Sequence, residues 1–429
     1  MIRKAIYLLG QNLRNPSLKT NFSFLKKSEK WSLEELEAYQ LKKLQKLIEV
    51  AYNHSEFYRN KFDDLKLNIS DIKSINDIKN LPIITKNDLI KFTPQIQTDL
   101  NFKKKFLATT SGSSGKSLQF YRDEHSDSFN RASIQRGYSW FEINPWDRNG
   151  YFWGFNFSSF KKLKNKALDF LQNRYRIFSY KESSLKKFIE KSNKAKYIHG
   201  YSSMIYHTAV LINKLELAKP KGIKMIKGTS EKVFESYKPA IKKAFGVNII
   251  SEYGATESGI IAFECKNGNM HLNMEGVLVE EVNGEILVTN LQMHSFPVIR
   301  YQLGDYISLA SKEKECACGK KHLILEEVTG RIGEIVYGIK NTYPSLYFYY
   351  IFKNLSKKED VYLNYQVIQN KKGNLLFLIE GKINTDIERK LVNEIVKYFK
   401  KDINFEIKHP SKFVYNKGKL KNFISNINE

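Results

Sequence analysis

The pattern of apolar and polar residues along the first quarter of the chain predicts helices followed by a strand. Residues 31–66 place Leu, Ile and Ala at helical spacing after a Ser32-Leu33-Glu34-Glu35 capping pattern, which predicts one long amphipathic helix. A short helix is predicted to begin at Thr85. Residues 105–111 then read as a strand that leads into a Ser/Gly loop at 110–117.

The middle of the chain alternates between helical and strand patterns. Helices are predicted at 183–193 and 201–217, with a short buried strand at 197–198 between them. Residues 247–254 form a β-rich apolar run that ends in glycine. Residues 277–290 alternate around an Asn-Gly pair, the dipeptide that favours a two-residue hairpin turn.

The pattern restarts after Gly330-Arg331, with strand-like runs at 361–368 and 375–381 and one helix at 385–400. We therefore predict an α/β chain in which a large N-terminal domain (1–330, including a helical leader region, 1–95) precedes a small α+β domain (331–429).

Composition narrows the class of protein. The 429 residues are 42% hydrophobic and carry a formal net charge of +25, which excludes a largely disordered chain. No apolar stretch reaches the roughly 18 residues of a membrane span, and the basic N-terminus is too brief for a signal peptide. A soluble, cytoplasmic protein is expected.

The excess of positive charge comes from 58 Lys and only 12 Arg, spread along the whole chain. This distribution favours a solvated basic surface over a specific nucleic-acid interface, which usually concentrates Arg in patches. The N-terminal stretch shows no clean amphipathic helix, and peripheral membrane association is left open.

A loop rich in hydroxyls and glycine is the first candidate for chemistry: Thr109-Thr110-Ser111-Gly112-Ser113-Ser114-Gly115-Lys116. Its backbone and hydroxyl donors suit phosphate oxygens, and its glycines allow close approach of the backbone. The spacing is not that of a P-loop. A flexible surface turn is an equally good interpretation of this loop alone.

Four further motifs follow in order: Ser251-Glu252-Tyr253-Gly254-Ala255-Thr256-Glu257, Arg300-Tyr301-Gln302-Leu303-Gly304-Asp305, Gly330-Arg331 and Gly418-Lys419. The first offers an aromatic ring for a purine, with a hydroxyl and a carboxylate for phosphate and Mg²⁺. Asp305, at a turn, is suited to bind two ribose hydroxyls, as acidic residues do in dinucleotide folds.

In this order the five motifs resemble those of the adenylate-forming (acyl-CoA synthetase) superfamily. The phenylacetate–CoA ligase branch looks most similar, especially its capsular-polysaccharide (CapK-like) relatives. The third motif keeps the acid but loses the second Arg of the family pattern. In the fourth, Glu334 stands where the family has an acidic pair, which leaves the hinge residue open.

The resemblance implies an AMP-forming ligase that uses ATP and Mg²⁺ to activate a carboxylic acid as an acyl-adenylate. The acceptor would be coenzyme A or an amine on a sugar, the role would lie in surface-polysaccharide biosynthesis, and the small domain would be mobile. A non-catalytic, basic polyanion-binding protein is the alternative from a different class.

The resemblance also assigns roles to residues. The β- and γ-phosphates would be held by Thr109, Thr110, Ser111, Gly112, Ser113 and Gly115; adenine by Tyr253, Gly254, Thr229, Ser230 and Glu231; ribose by Asp305 and Arg331; the α-phosphate by Thr256; Mg²⁺ by Glu257. Lys419 would stabilise the adenylation transition state. The acid would lie near His199, Gly200, Tyr201 and Ser202, where a buried core histidine is an equally good interpretation.

All three cysteines and one histidine form a candidate metal site: Cys265, His271, Cys316 and Cys318. A Cys₃His set is typical of closed tetrahedral zinc sites, and thiolates select zinc in a reducing compartment. Some phenylacetate–CoA ligase relatives carry a comparable cluster. His322 is the rival fourth ligand, and three inert thiols are the alternative.

Overall fold

A computed structural model of the chain describes residues 2–110, 118–152, 159–177, 182–331, 335–410, 413, 415–416 and 419–427. The α-helices of these residues are α1 (Ile2–Arg14), α2 (Leu18–Ser28), α3 (Leu33–His54), α4 (Glu56–Asp64), α5 (Lys86–Lys91), α6 (Thr93–Ile96), α7 (Glu124–Ser139), α8 (Ser159–Leu171), α9 (Glu182–Ser192), α10 (Ser202–Lys214), α11 (Tyr237–Phe245), α12 (Leu346–Glu359) and α13 (Thr385–Phe399). Short 3₁₀ helices span Ile69–Asp71 and Ile75–Asn80.

The strands are β1 (Lys105–Thr109), β2 (Gln119–Asp123), β3 (Asn149–Phe152), β4 (Arg174–Ile177), β5 (Tyr197–Tyr201), β6 (Met225–Thr229), β7 (Ile249–Ala255), β8 (Gly259–Glu264), β9 (Met270–Leu272), β10 (Val277–Val282), β11 (Glu285–Asn290), β12 (Tyr301–Leu309), β13 (Ile324–Arg331), β14 (Ile335–Tyr337), β15 (Thr342–Pro344), β16 (Tyr365–Lys371), β17 (Asn374–Ile379), β18 (Asn404–Lys408), β19 (Tyr415–Asn416), β20 (Lys419–Leu420) and β21 (Phe423–Ser425).

An eleven-stranded sheet organises the large part of the chain, in the order β10-β11-β12-β13-β9-β8-β7-β6-β5-β3-β4. Strands β4, β3, β5, β6 and β7 are parallel, whereas β7 and β8 pair antiparallel. Parallel strands need helical crossovers, and α9, α10 and α11 supply them. The predicted α/β class with several sheets is confirmed.

Two apolar cores pack against this sheet, one on its parallel strands and one on its antiparallel strands. Ile198, Ile226 and Ile249 lie on neighbouring parallel strands and pack with the buried residues of α9–α11. A second core joins the antiparallel strands to the leader helices, for example through Leu44 and Val288. These cores hold the parallel and the antiparallel strands against the helices that cover them.

The helix predicted for 31–66 is wrong in one respect, because the structure divides it at Ser55. The Ser32–Glu35 capping box is confirmed and begins α3, but Ser55 is extended (φ −125°, ψ 115°) and separates α3 from α4. The Ser55 hydroxyl donates to the carbonyl of Gln95 at 2.9 Å. A tertiary hydrogen bond therefore stabilises the break.

The elements after residue 335 have a core of their own, which includes Phe348, Val367, Phe377 and Leu391. They form a four-stranded sheet, β18-β17-β16-β21, with α12 and α13. The boundary at 330/331 falls at the end of β13 and stays a prediction. Among the described residues no helix combines the length and the apolar character needed to cross a membrane.

Candidate active site

Three of the predicted site segments meet at one edge of the sheet, where the parallel strands β5, β6 and β7 end. Gly200 of β5 pairs in register with Gly228 of β6, which pairs with Ser251 of β7. The next residues along these strands, Tyr201, Thr229 and Glu252, pair in the same way. In open α/β sheets, ligands bind in the crevice outside these carboxyl ends. The topology thus gathers segments that lie far apart in sequence.

Tyr253 and Asp305 lie in contact at this edge. The Tyr253 hydroxyl donates a hydrogen bond to the Asp305 carboxylate at 2.7 Å, joining β7 to β12. Asp305 is also the register partner of Arg331 in β13. The structure describes only the backbone of Arg331, and its side chain lies outside the described set. An aromatic face and a carboxylate are thereby held side by side.

Thr256 and Glu257 lie in the turn between β7 and β8. The Glu257 side chain is buried, and one of its oxygens accepts a hydrogen bond from the Tyr301 hydroxyl at 3.3 Å. The Asn290 amide donates to the carbonyls of Glu257 and Ser258 at 3.3 and 3.1 Å, which fixes the turn. A carboxylate retains further acceptor capacity, so Glu257 fits the oxygen-donor preference of Mg²⁺.

The hydroxyl-rich loop connects the two strands of the β1–β2 hairpin. Thr109 ends β1 and is exposed, and Thr110 is buried. The Thr110 N–H donates to the Leu118 carbonyl at 2.9 Å, and the Leu118 N–H donates to the Thr110 hydroxyl at 3.0 Å. These bonds close the base of the loop. Residues Ser111, Gly112, Ser113 and Gly115 lie outside the described residues.

The predicted adenine-side segment is tied to its neighbours. The Thr229 hydroxyl donates to Glu252 at 3.1 Å, and Ser230 adopts a left-handed conformation with φ 66°. The Glu231 carboxylate accepts from the Ser203 N–H at 2.9 Å, in the first turn of α10. Glu231 thus caps a helix, where a negative charge is favourable.

His199 is a buried member of a polar row that crosses the sheet. Its ring stacks on Tyr151 with centroids 4.4 Å apart, and Nε2 lies 3.4 Å from the Asn149 side-chain oxygen. Burial, together with the nearby cations Arg174, Lys227 and Arg176, holds the pKa of His199 well below its usual range. The imidazole is therefore neutral at pH 7, and its surroundings are those of a core histidine.

Gly200, the next residue, has a steric reason to be glycine. Its φ is +130°, and a Cβ placed there would lie 2.2 Å from the Phe152 carbonyl oxygen. No side chain fits that space. Ser202 begins α10, and its hydroxyl donates to the Glu231 carbonyl at 3.2 Å. The segment predicted for the acid is thus shaped mainly by packing.

Sequence reasoning missed the buried charges of this row. Lys227 forms an ion pair with Glu252, and both side chains are almost completely buried. Arg176 forms a two-point salt bridge with Asp169, both hydrogen bonds being 2.9 Å. The alternating residues Arg174-Tyr-Arg176 indicate a strand with one charged face. The sequence of a single strand does not show whether other residues bury that face.

Lys419 is the first residue of β20 and pairs in register with Asn416 of β19. The structure describes this backbone pairing, while the side chain of Lys419 lies outside the described set.

The four predicted metal ligands converge. The candidate ligand atoms of Cys265, His271, Cys316 and Cys318 all lie within 4.8 Å of one another. Cys265 and Cys316 have sulfurs 3.7 Å apart, and Cys318 Sγ lies 3.1 Å from His271 Nε2. A tetrahedral zinc with Zn–S bonds of about 2.3 Å places two sulfurs about 3.8 Å apart. The donor set and its spacing fit zinc.

The rival ligand His322 is engaged elsewhere. Its Nε2 lies 3.0 Å from the Glu275 carboxylate, which also accepts from Arg136 at 2.6 Å. Its carbonyl lies 3.2 Å from His271 Nδ1. Because a carbonyl only accepts, Nδ1 of His271 carries the proton and Nε2 is left as the ligand atom. Burial lowers the pKa of His271 to about 4.

No protein-family model matches the sequence, whereas curated proteins and solved structures include relatives. Protein CapK of Staphylococcus aureus is 25% identical over 409 aligned positions, which cover 88% of this chain and 87% of that protein.

Among solved structures, 2-hydroxyisobutyryl-CoA ligase in the postadenylation state, in complex with R3-HIB-AMP, superposes with a TM-score of 0.69 at 16% identity, covering 92% of this chain and 91% of that one. The same ligase in the thioesterification state, with 2-HIB-AMP and CoA, gives a TM-score of 0.58 at 17% identity, covering 92% and 91%. The chain has the fold of the adenylate-forming ligases and is similar to CapK over most of its length, which confirms the resemblance that its motifs indicate.

Proposed function

We propose that this protein is an ATP-dependent, AMP-forming ligase that activates a carboxylic acid as an acyl-adenylate and transfers the acyl group to an acceptor. The observation that carries the proposal is the contact between Tyr253 and Asp305 at the carboxyl edge of the parallel strands. This contact places an aromatic face beside a carboxylate in a fold whose solved relative holds an acyl-AMP.

The chemistry explains why such a site needs nucleotide-binding groups more than a nucleophile. A carboxylate is a poor acyl donor because its leaving group would be oxide. Attack of a carboxylate oxygen on the α-phosphate of ATP forms the acyl-adenylate and expels pyrophosphate. Positioning and charge stabilisation supply most of the catalysis in such a step.

The described residues supply nucleotide contacts in this proposal. Asp305 accepts hydrogen bonds from the two ribose hydroxyls, with Arg331 beside it, and Tyr253 stacks on adenine next to Gly254. Thr256 binds the α-phosphate. Mg²⁺ neutralises phosphate charge when bound, and Glu257 would hold it. The phosphates lie against the loop that starts at Thr109 and Thr110.

The carboxylic acid would approach the edge formed by Gly200, Tyr201 and Ser202. Burial raises the pKa of Tyr201 to about 12, so its phenol stays protonated and can donate to an anionic substrate. The buried, neutral His199 supports the Tyr151 side of this edge. Because Lys227 is already paired with Glu252, it is a structural charge in this proposal.

The two-domain division belongs to the same proposal. Residues 1–330 would form the adenylation domain, and residues 331–429 a mobile domain that brings Lys419 to the phosphate undergoing attack. The separate apolar core after residue 335 supports this division. The acceptor would be coenzyme A or an amine on a sugar. A role in surface-polysaccharide synthesis rests on the motif resemblance to CapK-like proteins.

The four converging side chains Cys265, His271, Cys316 and Cys318 would bind a structural zinc. The 3.7 Å separation of two sulfurs and the orientation of His271 by the His322 carbonyl support this assignment. A set of four protein ligands leaves no open position for catalysis. The metal would tie the turn after β8 to the loop between β12 and β13.

ATP–pyrophosphate exchange tests the proposal. The full chain, with Mg²⁺, is assayed across a panel of carboxylic acids, followed by an acceptor screen with coenzyme A and amino sugars. Acid-dependent exchange is expected for at least one class of acid. No exchange with any acid, together with salt-sensitive binding of polyanions, would favour the non-catalytic alternative that the net charge of +25 suggests.

A further inference from the structure

Helix α1 is attached to the protein by its polar and aromatic side. The Tyr7 hydroxyl accepts a hydrogen bond from Gln135 at 3.2 Å, and the Tyr7 ring lies 6.0 Å from that of Trp146. On the opposite side, Ile2, Leu9 and Leu13 are 77%, 64% and 70% exposed. An amphipathic helix that folds onto a core normally does the reverse. The apolar stripe of α1 therefore faces outward.

Helix α8 adjoins α1 and also exposes apolar residues. The Arg3 guanidinium of α1 donates to the Phe170 carbonyl at 2.6 Å and lies 4.2 Å from the centre of the Phe170 ring. Among the α8 residues whose side chains the structure describes, the large exposed apolar ones are Leu163, Leu168, Phe170 and Leu171. We call these four, together with Ile2, Leu9 and Leu13, the α1–α8 surface. Isolated apolar residues are common on proteins, whereas several large ones exposed on two adjoining helices are typical of an interaction site.

The charges on the two helices have one sign. Helix α1 contains Arg3, Lys4 and Arg14 and no acidic residue. The sequence of α8 contains four lysines and one acid, Asp169, which is buried and bonded to Arg176. Arg14 lies 3.8 Å from Asp127 at the far end of α1. Neither helix presents an exposed carboxylate beside the apolar stripe.

We propose that the α1–α8 surface docks on a membrane that contains anionic lipids. The 13 residues of α1 span about 20 Å, so the helix lies in the plane of the interface. Its apolar stripe enters the boundary between headgroups and acyl chains, and the exposed side chains of Lys4 in α1 and Lys166 in α8 meet lipid phosphates. The same arrangement disfavours a second copy as the occupant, because a two-fold interface would bring the same basic surface against itself.

Vesicle sedimentation of the full chain tests this proposal without any assay of activity. Vesicles of phosphatidylcholine alone are compared with vesicles in which a third of the lipid is phosphatidylglycerol, at low and at high salt. We expect binding to the anionic vesicles that weakens with salt. The double variant Leu9→Glu/Leu13→Glu should lower the partition coefficient at least about tenfold, and Lys4→Gln should lower it about fivefold.

The control is Val396→Glu, which places the same charge on an exposed apolar residue of α13 (45% exposed). This variant should bind vesicles like the wild type. Equal binding of the double variant and the wild type would overturn the proposal, as would wild-type protein that stays in the supernatant. A wild-type dimer that the double variant converts to a monomer would assign the surface to a second copy instead.

Discussion

Lys419 is the single residue on which the proposed adenylation step depends most directly. Lys419→Ala should lower ATP–pyrophosphate exchange by about 10²–10³-fold, because one charged donor to the transition state is lost. AMP binding, measured by calorimetry, should stay within about twofold of wild type. Lys421→Ala, two residues away, is the control and should keep its exchange rate. Unchanged exchange in Lys419→Ala would remove the lysine from the mechanism.

Loss of the Asp305 side chain should weaken the binding of every adenine nucleotide. Asp305→Ala removes a charged acceptor from the ribose, so the affinities for AMP and for ATP should both fall about 10- to 100-fold. Tyr253→Phe is the matched control, because it removes the same 2.7 Å hydrogen bond but keeps the aromatic face. If calorimetry shows that both variants lower the affinity for AMP equally, Asp305 does not bind the ribose and only orients the tyrosine.

His199 should make the stability of the fold depend on pH. Burial and the cations Arg174, Lys227 and Arg176 lower its folded pKa, whereas in the unfolded chain it has its ordinary pKa near 6.5. Below about pH 6.5 the unfolded state therefore binds the extra proton, and stability falls by up to about 1.4 kcal/mol per pH unit.

His199→Gln should abolish that contribution, so the difference in unfolding free energy between pH 5.5 and pH 7.5, measured by urea denaturation, should shrink by about 1 kcal/mol. Ile198→Val, which changes the buried neighbour of His199 and keeps the histidine, is the control and should leave the difference unchanged. An equal difference in His199→Gln and wild type would show that the histidine titrates normally.

At the scale of elements, the sequence correctly predicts structures that depend on a few neighbouring residues. It does not predict structures that depend on tertiary contacts. The capping box at Ser32 and the Asn-Gly hairpin both formed as predicted. The break at Ser55 depends on the Gln95 carbonyl, 40 residues away, and no local pattern encodes such a contact. The outward stripe of α1 was also missed, since periodicity does not reveal which side of a helix is covered.

The candidate metal cluster also divides into a part that the sequence predicts and a part that depends on tertiary contacts. The sequence correctly selected three cysteines and His271 as residues that come together, because their chemistry left few alternatives. It favoured His271 as the fourth ligand and kept His322 as the rival. That choice depends on the buried Glu275 and Arg136, which occupy the His322 ring.

Elemental analysis of protein purified without a His-tag should find about one zinc per chain. His271→Gln should lose that zinc and lower the melting temperature, because the turn after β8 is released from the β12–β13 loop. His322→Gln is the matched control: it should keep one zinc, since its ring contacts Glu275, although it also lowers stability. Metal-free wild type whose melting temperature does not respond to a chelator would exclude a structural zinc.

For the whole molecule, the order of the motifs predicts the fold class. The order of the strands and the placement of the elements after residue 335 are known only from the structure. The eleven-stranded order that places β7 beside β6 and β8 is not readable from periodicity. The overall arrangement is closer to the postadenylation state of 2-hydroxyisobutyryl-CoA ligase, with a TM-score of 0.69, than to its thioesterification state, with 0.58.

In the proposed reaction, the contact between the large part of the chain and the elements after residue 335 should matter for adenylation. Ser236, the N-cap residue of α11, is hydrogen-bonded to the side chain of Asn364, which also donates to Glu380 at 2.6 Å. Asn364→Ala removes this link, and the loss of one or two hydrogen bonds corresponds to a fall in exchange of about fivefold to 30-fold. AMP affinity should not change, because Tyr253 and Asp305 lie in the large sheet.

Exchange kinetics and calorimetry on the same preparation separate these two effects. Glu406→Ala, at an exposed position of β18, is the control for a surface change in the same part of the chain and should keep both values. If Asn364→Ala weakens AMP binding as much as it slows exchange, the contact supports the nucleotide site itself. An unaltered exchange rate, with the melting temperature preserved, would show that the described arrangement of the two parts is not the one in which the adenylate forms.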